Sequence, residues 1–429
     1  MLELHPGNTE IIAIAFEGPD PYAQAGGLGV RMTGLTKALA ARGFRVHFFF
    51  VGDPARPGVE TRDTLTLYRW GQWISQYHPE GVYAAEWDKM VDLENSLPPF
   101  VRDHLVWPGV QAGRRFVILT EEWQTAPTAI GLSDLLYGAG VRSEAVIFWN
   151  ANHRMGLHRI DFPRLGFVAT LTTVSRFMRH VLQQYGINPV VIPNGIDAAW
   201  FQDIPQSVVH RIQRLFSRPL LVKVGRFDPD KRWIMAVEAV ARLKAQGLAP
   251  TLVMRGGLEP HGAAVFERAR DLGLSVQDVV LEGTPSRDDV LKALEAARPR
   301  ADLVHLRMFL PTDFLGALYR SADAVLVNSG FEPFGLVGLE VMASRGLAIT
   351  GGTGEDYARA FVNGLVVDNE DPWRLAELVR FVEKRPELRA QMIRAGAATA
   401  KTYLWDRVVE ELLSQVTLAF ERQNRESGV

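Results

Sequence analysis

Short apolar runs rich in Ile, Val, Leu and Phe alternate with amphipathic stretches along the whole chain, the pattern of α/β units built on parallel sheets. In the first half, Ile11 to Phe16, Arg45 to Val51, Phe116 to Leu119, Ala145 to Trp149 and Ala169 to Val174 predict strands. Val30 to Ala41 predicts an amphipathic helix closed by Arg42-Gly43, because a glycine just past the last apolar position is a common helix stop. Thr61 to Trp107, rich in Trp, Tyr and His, breaks the alternation. It reads as a hairpin and helix packed on the domain, in preference to an insertion that shapes an acceptor site.

This first run closes at Val190-Val-Ile-Pro193-Asn194-Gly195-Ile-Asp197, where Pro and Asn-Gly mark a turn. After a polar, irregular stretch a second alternation begins at Leu220 to Gly225. It continues through Thr251 to Met254, Val279 to Leu281, Leu303 to Leu306, Ala324 to Val327 and Leu347 to Thr350. Pro386 to Lys401 and Trp405 to Glu421 then predict two helices. The fold class is therefore α/β, with two similar parallel-sheet domains and a cleft between them. Their expected spans are 1–197 and 219–401, with a linker over 198–218 and a terminal segment over 402–429.

Composition narrows the function. With 429 residues, of which 47% are hydrophobic, the chain supports two cores. Lys and Arg (47) nearly balance Asp and Glu (49), so no basic excess points to nucleic acid, and no nucleic-acid partner is expected. The cysteine count is 0, which excludes disulfides, thiolate metal sites and cysteine nucleophiles. No run approaches the ~18 consecutive apolar residues of a membrane span, so no transmembrane segment is expected. The start, Met1-Leu-Glu-Leu-His-Pro-Gly-Asn, has no secretory pattern, and the expected location is cytoplasmic.

The chemistry concentrates in three places. Ser329-Gly-Phe-Glu332-Pro-Phe334-Gly335-Leu336-Val-Gly338-Leu-Glu340 follows the strand Ala324 to Val327, placing Glu332 in a strand-to-helix loop and Glu340 one to two turns into the helix. Ligands of open α/β sheets sit at such strand ends, and the free amides of a helix start, here Phe334, Gly335 and Leu336, attract anions. Val224-Gly225-Arg226-Phe-Asp228-Pro229-Asp230-Lys231 offers two cations at another strand end, a fork and a point charge suited to clamping a diphosphate; a surface turn is the alternative. Gly26-Gly27-Leu28-Gly29 joins the first strand to the first helix and forms either an anion nest or simply a tight loop. It is not a dinucleotide fingerprint, because Met32 stands where the third glycine belongs. Glu332 and Glu340 lie on one loop and helix, which does not suit the opposed acids of glycoside hydrolysis.

In this order, and together with Thr173-Val-Ser175, Pro193-Asn-Gly-Ile-Asp197 and Asn363-Gly-Leu-Val-Val-Asp368, these elements resemble the retaining nucleotide-sugar glycosyltransferases of family 4. The resemblance implies two Rossmann-like domains of GT-B type, a nucleoside-diphosphate sugar as donor, and a carbohydrate or small-molecule acceptor. It also implies no cofactor and no obligatory metal. Carried onto this chain, it gives Arg226 and Lys231 the donor diphosphate, Glu340 the ribose and Glu332 the transferred sugar, with Gly26, Gly27, Gly225 and the Phe334, Gly335 and Leu336 amides lining the donor site. It also implies a last helix that returns to the first domain. Two departures stand out. Glycogen and starch synthases, a related family, place a Lys where this chain has Gln24, although Glu121-Glu122-Trp123-Gln124-Thr125-Ala126 is similar to a stretch of theirs. Many relatives carry a functional His where this chain has Trp149. His153 either substitutes for it or is structural. The reading is a metal-independent retaining hexosyltransferase; its rivals are a disaccharide phosphorylase on the same fold and a non-catalytic sugar-nucleotide or carbohydrate-binding protein.

Overall fold

The structure is a computed structural model that describes residues 4–354 and 356–426. It divides into two compact units, one of residues 1–195 with 405–429 and the other of residues 196–404. The first unit is built on eight strands: β1 (Thr9–Ile14), β2 (Arg45–Val51), β3 (Val59–Arg62), β4 (Leu65–Trp70), β5 (Arg115–Glu121), β6 (Ala145–Ala151), β7 (Thr170–Thr173) and β8 (Val190–Val191), in the order β3-β4-β2-β1-β5-β6-β7-β8. All neighbours are parallel except β3, which turns back on β4. β1 and β6 are buried along their whole length, which is why they read as continuous apolar runs without alternation.

The aromatic-rich stretch is the hairpin β3-β4, then the helices Gln72–Ser75 and Glu86–Val101, the second running through a π turn at Arg102–Val106 into Trp107–Gln111. Pro98 and Pro99 lie inside that helix and withhold two amides from its ladder, and the wider turn follows within one helical repeat. The hairpin-and-helix reading thus describes the segment.

Helix Trp405–Glu426 belongs to the first unit and buries Val408, Val409, Leu412, Val416 and Phe420 in its core. The Trp405 indole lies so close over Gly34 and Gly195 that a Cβ on either would meet it at 2.2 and 2.3 Å. These glycines are there for close packing.

The second unit has seven strands: β9 (Leu220–Val224), β10 (Thr251–Arg255), β11 (Val276–Val280), β12 (Leu303–Arg307), β13 (Ala324–Val327), β14 (Ala348–Gly351) and β15 (Leu365–Val367), all parallel, in the order β11-β12-β10-β9-β13-β14-β15. Its core gathers Leu221, Trp233, Val237, Val240, Leu252, Leu326, Ile349 and Leu375 between sheet and helices. Residues 198–218, expected as a linker, fold into this unit. Helix Gln206–Gln213 is held by the Arg211 fork on Glu295 at 2.6 and 2.9 Å and by Gln213 on the Ser321 carbonyl. The polar residues that made the stretch look irregular are the outer face and anchors of that helix.

Candidate active site

In a doubly wound sheet the strand order reverses at one point, and the loops leaving the two strands there diverge and open a crevice. In the second unit the reversal falls between β9 and β13, which pair in parallel. The loop after β9 carries Gly225, Arg226 and Lys231, and the loop after β13 carries Ser329 and Glu332. Two segments about a hundred residues apart in sequence therefore meet at one sheet edge. Lys231 Nζ forms an ion pair with Glu332 Oε2, and Ser329 Oγ donates to the same oxygen at 3.1 Å. The loops are also joined through backbone, Gly330 N to Asp230 O at 2.7 Å.

Arg226 is exposed, and its guanidinium has no ion pair or hydrogen bond among the described residues. Its backbone is fixed, however: the Arg226 carbonyl accepts from Trp233 Nε1 at 2.7 Å and from Asp228 N at 2.9 Å. The site thus presents one uncommitted planar cation beside a half-buried lysine already paired with a carboxylate.

Helix Leu336–Ala343 starts from Gly335, whose φ of 82° is left-handed, a conformation that costs glycine little. Tyr357 clamps this start: its hydroxyl donates to the Gly335 carbonyl at 2.5 Å, and a Cβ on Gly338 would meet that hydroxyl at 2.2 Å. The amides of Phe334, Gly335 and Leu336 donate to nothing among the described residues, as expected of a free helix start. Phe334 itself is buried against Tyr357 and Tyr403. Glu340 lies on the second turn, partly buried, with no hydrogen bond to its carboxyl among the described residues. Burial pushes its pKa up to about 7.

Three motifs of the family resemblance hold structure in place. Ser175 caps helix Arg176–Gln183 by accepting from Met178 N at 3.0 Å. Asn194 accepts from the buried Arg31 guanidinium at 2.7 Å. Asn363 spans its turn, donating to the Tyr357 carbonyl and accepting from Arg359 N, both at 2.7 Å.

In the first unit, Gly26 and Gly27 begin helix Gly27–Ala41, and the nest they form is filled from within. Glu17 Oε2 accepts from the amides of Ala25, Gly26 and Gly29 at 3.2, 2.8 and 3.0 Å, and Tyr83 donates to Glu17 Oε1 at 2.6 Å. The anion bound by the glycine loop is the protein's own carboxylate. A clue lies in the sequence, where Glu17 directly follows the apolar run Ile11 to Phe16 that leads into the loop.

Trp149 is fully buried in β6 and donates through Nε1 to the Glu122 carbonyl at 2.9 Å. His153 is partly exposed. Its Nδ1 accepts from Met155 N at 3.2 Å and lies 3.4 Å from Glu122 Oε2. Burial lowers the His153 pKa, and the amide aimed at Nδ1 fits a neutral ring with its proton on Nε2. Glu122, at a φ of 71°, accepts from the amides of Asn152 and His153 at 2.5 and 3.2 Å, while its Oε2 has no hydrogen bond.

Burial pushes the Glu122 carboxyl up to about 8, outweighing those amide bonds, with Glu121 adding to the rise. A raised carboxyl contributes stability that is full below its ordinary value of 4.5 and is lost as pH climbs through about 8. Replacing Glu122 with Gln keeps an acceptor for both amides and removes the titration. The unfolding midpoint of the wild type is expected to fall between about pH 6 and pH 8.5 by more than that of the variant. Denaturant melts at both pH values check this, and equal pH slopes in the two proteins would refute it.

Residues 209–399 match the model of the family described as glycosyl transferases group 1, so the second unit carries a domain of that group. A D-inositol 3-phosphate glycosyltransferase of Acidothermus cellulolyticus is 31% identical over 249 residues, covering 55% of this chain and 50% of that protein. The chain spans about half the length of the curated relatives it matches. Among solved structures, the sucrose-phosphate synthase of Thermosynechococcus elongatus aligns with a TM-score of 0.66 at 19% identity, covering 96% of this chain and 100% of that one. The catalytic domain of starch synthase IV from Arabidopsis thaliana, bound to ADP and acarbose, aligns with a TM-score of 0.65 at 17% identity, covering 97% and 99%. At such identities the likeness concerns the fold, which is GT-B: two Rossmann-like parallel-sheet domains in one chain. No helix among the described residues is long and apolar enough to cross a membrane.

Proposed function

We propose that this chain, whose second unit is a group 1 glycosyl transferase domain, is a retaining glycosyltransferase that moves a hexose from a nucleoside-diphosphate sugar to an acceptor hydroxyl without a metal. The observation that carries this reading is the Lys231–Glu332 pair at the switch point of the second sheet, with Arg226 on the same loop as Lys231 and a helix start with free amides after Glu332. The Lys231 ammonium held by Glu332, the uncommitted Arg226 fork and those amides suit a diphosphate leaving group, whose charge grows as the bond to the sugar breaks; preorganised donors are worth most where charge develops. Glu332, tethered by Lys231 and Ser329, would contact the sugar. Glu340 has carboxyl oxygens free to accept from ribose hydroxyls.

In this scheme the acceptor hydroxyl attacks from the face the diphosphate leaves. Its proton passes to the departing phosphate oxygen, so no covalent protein nucleophile takes part. A donor phosphate at Gly26 and Gly27 would have to displace Glu17 from the loop amides, and the second-unit residues therefore carry the donor in this reading. The test is calorimetric titration with UDP, ADP and GDP in metal-free buffer. Selective binding of one is the expected result and names the nucleotide; binding of none refutes the donor site.

A further inference from the structure

Beneath the clamp lies a charge that the proposed mechanism does not use. Lys223, the fourth residue of β9, is 2% exposed, although lysine is almost never fully buried without a charged partner. Its Nζ donates to Asn328 Oδ1 at 2.7 Å and to the Leu326 carbonyl at 3.2 Å, and lies 5.2 Å from the centre of the Trp233 ring. No carboxylate pairs with it among the described residues. Lys89, the other deeply buried lysine, differs in having three oxygen acceptors, the Tyr22 hydroxyl and the carbonyls of Gly81 and Val82.

The surroundings of Lys223 favour its losing the proton. Lys231 and Arg232, from the turn after β9, bring two further cations, and Glu332, from the loop after β13, brings one anion that is already paired with Lys231. The helix starting at Trp233 contributes an indole, and the end of β13 contributes an amide whose own N–H groups are spent on the Arg232 carbonyl and the Met235 sulfur at 3.3 and 3.5 Å. Asn328 therefore offers Lys223 only its oxygen. The same contacts tie the amine to both loops that carry Arg226, Lys231 and Glu332.

We infer that Lys223 is an internal counter-charge for the donor diphosphate, taking up a proton as the anion settles on the clamp and thereby making donor affinity depend on pH. The inference rests on the proposed donor site and adds a positioning residue to it. An anion arriving near Lys231 and Arg226 offsets the surrounding positive charge, which favours the protonated amine. Burial, with Lys231 next, holds the Lys223 pKa down at about 7 in the unliganded protein. Above that value the amine is neutral until the anion binds. Affinity should then weaken by up to about tenfold per pH unit as pH rises from 7 to the value set in the complex.

The experiment is titration with the nucleotide that binds, among UDP, ADP and GDP, in pairs of buffers whose ionisation heats differ, Tris and HEPES at pH 8 and MES and Bis-Tris at pH 6. Wild type, Lys223→Met and Asn328→Asp are compared. The first variant removes the proton site, and the second sets a carboxylate beside the amine, keeping it charged. The wild type is expected to take up more protons than either variant at pH 8, with the difference fading at pH 6. The nucleotide phosphate and Glu340 titrate in all three proteins, so the difference reports Lys223. Equal uptake with intact binding overturns the role of Lys223 alone, whereas absence of binding by the wild type overturns the donor site as well. Should a variant fail to fold, carbon NMR of ε-13C-lysine wild type decides the matter. A Lys223 titration that moves upward on nucleotide addition supports the proposal, and one that does not move overturns it.

Discussion

Arg226→Ala is expected to lower kcat for sugar transfer by about a hundredfold, a loss of roughly 3 kcal/mol of transition-state stabilisation, with little change in folding stability. The two halves of this expectation have separate causes. In the resting protein Arg226 is exposed and its guanidinium makes no hydrogen bond or ion pair among the described residues, so truncating it removes only its electrostatic influence on Glu259. Substitutions of this kind usually stay within about 0.5 kcal/mol. In the transition state the same guanidinium would face a diphosphate whose charge is increasing, so its loss falls on kcat more than on KM.

Lys231→Ala should cost a similar factor but is less clean, because it also leaves Glu332 without its cation. The double variant should lose less than the product of the two single losses, since both act on one anion. Steady-state kinetics with thermal melts of the three variants check this. Full turnover by Arg226→Ala would remove it from the clamp, and a parallel fall in melting temperature would make its role structural.

The sequence and the structure agree most closely where periodicity and punctuation act together. Arg45 to Val51, Ala324 to Val327 and Pro386 to Lys401 have the bounds that their apolar patterns and flanking turn residues predict. Agreement loosens at the chain's irregular parts. β8 and β15 are two and three residues long, too short for a period, and helix Gln206–Gln213 hides in a stretch whose polarity suggests a linker. The strand-end positions of Arg226, Lys231 and Glu332 could be read because a loop with Gly and Pro after an apolar run advertises itself. What could not be read was which groups satisfy one another. Nothing local says that Glu17 fills the glycine nest, since that bond depends on the loop doubling back over eight to twelve residues. Lys223 does carry a signal, one charge inside Leu220-Leu-Val-Lys-Val, a run predicting a buried strand. A charge in such a run must find partners or shift its protonation, and only the fold shows which.

Trp149→His is the second large expectation: the substitution that puts in the residue type the family resemblance implies at this position should destabilise the first unit by roughly 3 kcal/mol and add nothing to transfer. Trp149 is fully buried, packs edge-on to Phe162 with ring centroids 5.9 Å apart, and donates to the Glu122 carbonyl at 2.9 Å. Imidazole fills far less of that space and buries a second ring nitrogen that needs its own partner. The bond to Glu122 also braces a residue at a φ of 71°, where a non-glycine backbone is held only by its surroundings. The position is therefore part of the core here, and the partly exposed histidine lies four residues later.

His153→Ala is the matching control. Its partly exposed ring carries a single amide contact besides its approach to Glu122, so stability should change by less than 1 kcal/mol or so, while transfer falls if the ring faces substrate. Denaturant melts and turnover measured on both variants separate the alternatives. A Trp149→His protein that is as stable as wild type and faster in transfer would mean that position 149 belongs to the site in this chain.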